Sequence, residues 1–511
     1  MAKAPNILFI MADQLAAAAL PFYGHPVVRT PFLSALAGES AVFDNAYCNF
    51  PICAPSRASL HTGRFAHAIE CFDNASTFSM ESPTLPHYLR EKGYGAVLCG
   101  KMHFVGADQL HGYERRLTTD IYPSNFAMTP DWSGGCEYRP TNLTMAPVIE
   151  SGSCVRTLQM DYDDEVAHCG VQEIYNLARY AEDKPFFLTV SFTHPHSPFV
   201  ISEEYWNRYS PDEIDMPAAP DLPPDERDLL SRNLYYCHGR HLFTVTDEHI
   251  RNARRGYYGM ISYIDDKVGR LLSALGQTGL ADNTIVVFTA DHGEMMGERG
   301  MWYKQHFFEW SARVPLLIRL PGAPAPRRVG ENVSLVDLLP TFLDLIGEHP
   351  PQLRAPVDGR SLAGLLHGGD AAWPDVAIAE YSADGSTGPS RMVRKGKWKF
   401  MTLEGKERLL FDMENDALEQ HNLADKAAHQ KIVAELSALA HDDWDVDEIR
   451  RRVVASQRRR LFIHRLTGGI PEYVHIARDG DDKRYVRGAA VADTKARARF
   501  PRVAPAKPDK H

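Results

Sequence analysis

The chain has 511 residues, 44% hydrophobic and 24% charged, with 56 Lys+Arg against 66 Asp+Glu for a formal net charge of −10. That is the balance of an ordinary soluble globular protein, and it excludes a disordered tail protein, a collagen-like rod and a disulfide-dense mini-domain. A net acidic chain is also a poor general polyanion binder, and at about 150 residues per domain the length suggests about three units, or one large α/β domain with a smaller companion.

The N-terminal apolar run Ile7–Met11 is short and is followed by Asp13. A signal peptide needs a longer stretch, and a membrane span needs about 20 apolar residues, so the run reads as a buried first strand of a cytoplasmic protein without a membrane partner. Ala96–Cys99, Phe186–Phe192, Thr284–Ala290 and Val314–Arg319 read as further strands buried on both faces, with helical patterns at Asp247–Leu275 and Val333–Ile346. This alternation predicts an α/β fold with a large, mainly parallel sheet flanked by helices. Asp131–Ser153, rich in Gly, Pro, Ser and Thr, reads as a loop over the active edge. After about residue 370 the texture changes: Val376–Glu380, Arg391–Met401 and Arg408–Met413 suggest a small antiparallel sheet. From about 425 the chain reads as helical and charged, with arginine clusters at 450–452 and 458–460 that suit a solvated helix or a subunit interface, and Ala489–His511 reads as extended or partly disordered. The expected division is 1–370 catalytic, 371–425 a small sheet subdomain, and 426–511 a helical extension and tail for oligomerisation. The eight cysteines form no C-x-x-C pair and read as reduced thiols, with Cys53 set apart.

Polar residues follow the predicted strands in a telling way: Asp13 after the first, Lys101 and His103 after the second, His194 and His196 after the third, Asp291 and His292 after the fourth. Ligands of open α/β sheets bind at the carboxyl ends of strands, so these residues are expected at one edge. Two carboxylates meeting there repel unless a cation lies between them or one is protonated. Oxygen ligands suit Ca2+, Mg2+ or Mn2+, and His292 tilts the choice toward Mn2+ or Zn2+. The competing reading is that Asp13 and Asp291 only cap helices. In Cys53-Ala54-Pro55-Ser56-Arg57, a proline just inside a helix start puts Cys53 at a helix N-terminus, where an anion or nucleophile is stabilised. A cysteine so placed is a thiolate nucleophile or a buried apolar residue; both readings stand.

C-x-P-S-R followed by Thr62-Gly63-Arg64 resembles the signature of the type I sulfatases of the alkaline phosphatase superfamily, in which the cysteine is oxidised to formylglycine. Gly100-Lys101-Met102-His103, His194-Pro195-His196-Ser197-Pro198, Lys304, Val336–Thr341, Leu410–Asp412 and Asn422–Ala424 fall in the same order, so the resemblance spans about residues 5–425. Asp13-Gln14, Asp291-His292, the runs Gly100–Gly112 and Leu117–Pro123, and the tail residues Arg484–Arg487, Asp493-Thr494 and Phe500–Arg502 are similar to choline sulfatases, whose tail reaches a neighbouring subunit's active site.

The resemblance implies hydrolysis of an organic sulfate ester and one divalent ion, Ca2+ first and Mn2+ or Mg2+ next, on Asp13, Gln14, Cys53, Asp291 and His292. It implies formylglycine at Cys53, oriented by Arg57, with Lys101 and Lys304 clamping sulfate, His103 as base, and His196 with Lys304 as acid. Asn74, Met128, Glu380 and Asp493 would contact substrate. Met128 stands where choline sulfatases place a Trp, and Arg139–Asn142 replaces an aromatic cluster, so the aromatic faces that a trimethylammonium group prefers are altered. The implied partners are the ester, a formylglycine-generating or other maturing enzyme, and further copies of the chain as homodimer or homotetramer, without nucleic acid. Three alternatives remain at this point: a phosphonate monoester or phosphodiester hydrolase, a non-catalytic anion-binding or assembly protein, and a nucleic-acid binder suggested by the arginine runs but opposed by the acidic total. Bland readings of single residues also remain: surface lysines at 101 and 304, a structural His103 or His194, and a turn residue at Asn74.

Overall fold

The large sheet contains Asn6–Ala12 (β1), Ala41–Tyr47 (β2), Gly95–Gly100 (β3), Arg115–Arg116 (β4), Phe186–Ser191 (β5), Thr284–Ala290 (β6), Leu316–Arg319 (β7) and Arg327–Ser334 (β8). Their spatial order is β8-β2-β7-β6-β1-β5-β3-β4. All neighbours run parallel except β7, which is antiparallel to both β6 and β2. The coordinates are a computed structural model that describes residues 4–122, 125–138, 143–180, 184–322, 326–347, 353–369, 371–467, 475–481 and 499–509.

Strands β1, β5 and β6 are buried at every residue, which explains their unbroken apolar sequence. The period of two sorts β5 between two layers. Phe187 meets Phe342 of helix Leu338–Leu345 on one face, ring centroids 6.1 Å apart. Val190 packs on the other against Gly170 of helix Leu158–Tyr180; a Cβ at Gly170 would lie 3.3 Å from Val190 and 3.1 Å from Leu271 of helix Asp247–Gln277. Full burial of a Phe or Val side chain contributes about 1.5–3 kcal/mol, so these contacts fix the layers.

Register matters for function. Met11 and Gly100 both align with Ser191, and Ala12 aligns with Ala290. The residues that follow β1, β3, β5 and β6 are thereby set side by side at one sheet edge.

A second sheet, Val376–Tyr381 (β9), Ser390–Lys395 (β10), Trp398–Leu403 (β11) and Glu407–Asp412 (β12), pairs in sequence order and is antiparallel throughout. Lys399 ties it to the main body: fully buried, it lies 2.9 Å from Glu309 and 2.7 Å from Glu419. Helices Gln430–His441 and Val446–Thr467 follow.

Several expectations change. The helix expected over Val333–Ile346 begins at Leu338, because Val333 and Ser334 still pair with Ala46 and Tyr47. The single strand expected over Arg391–Met401 is a hairpin that turns at Gly396, whose φ is 50°. Strands β2 and β8 and helix Leu158–Tyr180 add elements beyond those expected. The segment Asp131–Ser153 carries a turn of helix at Trp132–Gly134 and a short helix at Ala146–Ile149. All eight cysteines are free thiols. Among the described residues no helix is long and apolar enough to cross a membrane.

Candidate active site

Cys53 is the first residue of helix Cys53–Thr62. Ile52 before it offers no side-chain cap; the cap comes from 20 residues downstream, where Asn74 Oδ1 accepts the Ala54 N–H at 2.9 Å. The helix closes at Gly63, φ 65°, where a Cβ would lie 3.3 Å from Leu339 and Val357. One turn after Cys53, the fully buried Arg57 reaches all four strand ends. Its Nε donates to Asp291 Oδ2 at 2.7 Å and Nη2 to Asp13 Oδ2 at 3.1 Å. Its Nη1 donates to the Lys101 carbonyl at 2.7 Å and Ser191 Oγ at 2.9 Å. Only a rigid guanidinium fork supplies donors in that many directions.

Asp13, Cys53, Asp291 and His292 are buried, and each offers a ligand atom within 4.8 Å of the others. His292 Nδ1 faces the Gly293 carbonyl at 3.0 Å, so it carries the proton and Nε2 turns its lone pair toward Cys53 Sγ, 3.2 Å away. Burial and Cys53 raise the Asp13 carboxyl, but Lys101, His196 and Arg57 outweigh them and hold it well below the usual range. Burial and Asp13 push Asp291 the other way, above the ordinary value, against Arg57 and His292. Burial disfavours a charged His292, yet Asp291 and Cys53 raise its pKa. Two carboxylates, an imidazole and a sulfur gathered this closely make a centre that a divalent cation can satisfy. Gln14, expected as a further ligand, has φ 66° and bonds through its backbone N–H to Asp291 Oδ1 at 3.1 Å. Its side-chain oxygen accepts from Lys304 and its amide donates to Glu294.

Two lysines and two imidazoles surround Cys53. Burial raises its thiol pKa, but Lys101, Lys304, His292 and His103 together pull it well below the ordinary value. Lys101 Nζ touches Asp13 and lies 3.7 Å from Cys53 Sγ. The loop that presents it needs Gly100, φ 104°, because a Cβ there would lie 1.9 Å from the Ser191 carbonyl. Asp120 then accepts the N–H groups of Met102 and His103, each at 2.9 Å, and pairs with Arg116 at 2.6 Å. His103, φ 58°, lies beside Cys53, and its ring nitrogens are buried with no other hydrogen-bond partner among the described residues. Lys304 sits between two left-handed residues, Tyr303 (φ 69°) and Gln305 (φ 83°), and its Nζ is 2.9 Å from His196 Nε2. The strain there is held by Gln305 N–H on the Pro51 carbonyl at 2.9 Å, by His238 on Gln305 Oε1 at 2.6 Å, and by Glu294 accepting the Tyr303 N–H. His194 is taken by Asp163, 2.7 Å from its Nδ1, and positions the loop.

The sequence model of the family described as Sulfatase matches residues 5–348. The chain belongs to the sulfatase family. A second model, N-sulphoglucosamine sulphohydrolase, C-terminal, matches residues 297–442 of this sulfatase. The choline-sulfatase of Rhizobium meliloti (strain 1021) is 40% identical over 510 residues, covering 98% of this chain and 99% of that protein. An arylsulfatase of Clostridium perfringens (strain 13 / Type A) is 28% identical, covering 84% of this chain and 92% of that one. Among solved structures, the phosphonate monoester hydrolase of Agrobacterium radiobacter superposes with a TM-score of 0.68 at 26% identity, over 88% of this chain and 96% of that chain. The protein is a sulfuric ester hydrolase with the alkaline-phosphatase-like fold.

The residues expected at the substrate of this sulfatase separate. Asn74 is at the centre, with Oδ1 committed to the helix cap and Nδ2 left to donate. Met128 is half-buried at the end of the turn Phe126–Met128. Glu380 is a correction: its carboxylate accepts His67 N–H at 3.0 Å, faces His67 Nδ1 at 2.6 Å and sits 3.5 Å from Arg391, so it braces the end of β9 instead of facing substrate. Asp493 lies outside the described residues. The arginine clusters divide as well. Arg458 and Arg459 are exposed, but Arg460 is only 5% exposed and forms a two-pronged pair with Asp73 at 2.6 and 2.7 Å. Gln457, one turn earlier, accepts the Trp132 N–H at 3.1 Å. The helix read as solvated is therefore part of the wall beside Asn74. Its signal was a spacing of buried positions, Val453, Gln457 and Arg460, hidden among exposed arginines.

Proposed function

We propose that this sulfatase hydrolyses a small organic sulfate ester at residue 53 after conversion of Cys53 to formylglycine. Asp13, Gln14, residue 53, Asp291 and His292 would hold one divalent ion, Ca2+ before Mn2+ or Mg2+. The observation that carries the reading is the buried cluster of Asp13, Asp291 and His292 around Cys53, with Arg57, Lys101 and Lys304 fixed beside it. A divalent ion in this cluster supplies charge neutralisation and lowers the pKa of an oxygen nucleophile. Arg57 orients residue 53 and the two aspartates. Lys101, Lys304 and the Asn74 amide donate to the sulfate oxygens. His103 takes a proton at residue 53, which its unpartnered nitrogens permit, and the Lys304–His196 pair gives one to the leaving oxygen.

The likeness to a choline-sulfatase supports a small alcohol, and Met128 supports a pocket altered from one built for choline. A second reading, hydrolysis of phosphonate monoesters or phosphodiesters, is favoured by the likeness to the phosphonate monoester hydrolase, since the same clamp fits both ester types. For the assembly we propose a homodimer or homotetramer built on the C-terminal extension. Phe462 and Leu466, 54% and 65% exposed near the end of its arginine helix, support this. The test of function is parallel kcat/KM measurement on choline sulfate, aryl sulfates, phosphonate monoesters and phosphodiesters. It uses protein made with a maturing enzyme, with peptide mass spectrometry across Cys53. Preference for sulfate by at least about tenfold in kcat/KM, on modified protein, is expected; the same preference for phosphorus esters overturns the first reading in favour of the second.

A further inference from the structure

Tyr122 is buried where the two sides of the anion pocket meet. Its ring lies under Lys101, with Nζ 4.4 Å from the centroid. Its hydroxyl accepts from Gln159 Nε2 at 2.8 Å and stands 3.3 Å from His196 Nδ1. Gln159 also donates to the carbonyls of His196 and Ser197, at 3.2 and 3.1 Å, so one amide grips both Tyr122 and the backbone of the histidine that Tyr122 faces.

The partners fix where the imidazole proton sits. The Ser197 carbonyl, 2.7 Å from His196 Nδ1, can only accept, so Nδ1 bears hydrogen. An ammonium can only donate, so Nε2 presents its lone pair to Lys304 at 2.9 Å. Tyr122 shares the Nδ1–H with Ser197 and stops the ring from turning about its Cβ–Cγ bond. Without the hydroxyl, the imidazole keeps one anchor on that side.

We propose that Tyr122 is a positioning residue for leaving-group departure: its hydroxyl holds His196 in the orientation that lets the Lys304–His196 pair deliver a proton, while its ring face holds Lys101 in the sulfate clamp. This rests on the assignment of that pair as the acid. In the step, the bond from the oxygen nucleophile to sulfur forms as the ester S–O bond breaks. The electron pair of the broken bond stays on the leaving oxygen, which takes the proton shared by Lys304 Nζ and His196 Nε2, and the pair regains a proton from water. Protonation matters for an alkoxide leaving group and little for a stable phenolate, so the defect in a Tyr122 variant is set by the alcohol.

The experiment compares wild type with Tyr122→Phe and Tyr122→Leu on an alkyl sulfate and para-nitrophenyl sulfate. For Y122F the ratio of alkyl to aryl kcat should fall by about tenfold or more, since general acid catalysis contributes about 10²–10⁴-fold and only its alignment is lost. Y122L also removes the face under Lys101 and should depress both substrates. Nitrogen NMR of histidine-labelled protein, with His196 identified by its absence from His196→Asn, should show a sharp Nδ1 resonance in wild type that shifts and broadens in Y122F as the ring loses its second anchor. An unchanged alkyl-to-aryl ratio, or an unchanged His196 Nδ1 resonance, overturns the proposal. If the wild type prefers phosphorus esters, the same comparison is made with alkyl and aryl phosphonate monoesters, so failure of the sulfate reading and failure of the Tyr122 role stay separate.

Discussion

Arg460→Met tests whether the C-terminal helix supports the active centre. Both members of the pair are buried, Arg460 at 5% and Asp73 at 1% exposure, so solvent screens their interaction little. Removing one partner of a buried pair costs about 3–5 kcal/mol. Asp73 keeps the Ala75 N–H at 2.9 Å and the Ser76 hydroxyl at 3.2 Å, which places the expected loss near the lower end, about 3 kcal/mol. Asp73 precedes Asn74, whose cap on the Cys53 helix has the value of an N-cap, about 1 kcal/mol. Loosening that cap corresponds to about a fivefold fall in kcat with KM nearly unchanged. The assays are urea unfolding and steady-state kinetics on R460M, Asp73→Asn and the double variant. A coupling of about 2 kcal/mol in the cycle is expected. Additive losses, or a destabilised R460M with wild-type kcat, would refute the link from helix to nucleophile.

Arg57→Lys keeps the charge but replaces the fork with one ammonium that cannot meet Asp13, Asp291, Ser191 and the Lys101 carbonyl together; kcat should fall at least about 10²-fold with the fold retained by circular dichroism. Lys399→Met leaves Glu309 and Glu419 facing each other and should cost more than about 3 kcal/mol in urea unfolding, with part recovered by adding Glu309→Gln. His61, fully buried on the Cys53 helix, is lowered from 6.5 to about 4, chiefly by burial. The unfolded chain therefore binds the proton first: stability is fully present above pH 6.5 and is lost as pH falls toward 4, by up to about 3 kcal/mol from this residue. Unfolding midpoints measured across that range should fall steadily, and a flat profile would contradict the burial argument.

What could be read in the sequence was what short range encodes. Strands β1, β5 and β6 are buried on both faces and spell themselves as apolar runs, and the acids and lysine after them follow from strand polarity. Strands β2 and β8 mix buried and half-exposed positions, so AVFDNAY and RRVGENVS carry no such run. Asn74 could be singled out only by resemblance, because its use as a cap depends on a contact 20 residues away. Arg460 and Glu380 misled for the same reason: their burial is created by partners at Asp73 and His67, 387 and 313 residues distant. Charge alone argues for solvent, and only tertiary pairing overrides it.

Cys53 ends 2% exposed, beneath His292, which lies 239 residues further along the chain. A maturing enzyme could not reach that thiol in the finished protein, so the oxidation proposed for it would have to occur before the sheet edge closes. At about 5–20 residues per second of synthesis, the interval between the emergence of the two residues is roughly 12–48 s. The same burial that sharpens the catalytic electrostatics thus sets a deadline during biosynthesis. On that proposal, a chain that folds before it is modified would be locked with a thiol in place of the aldehyde.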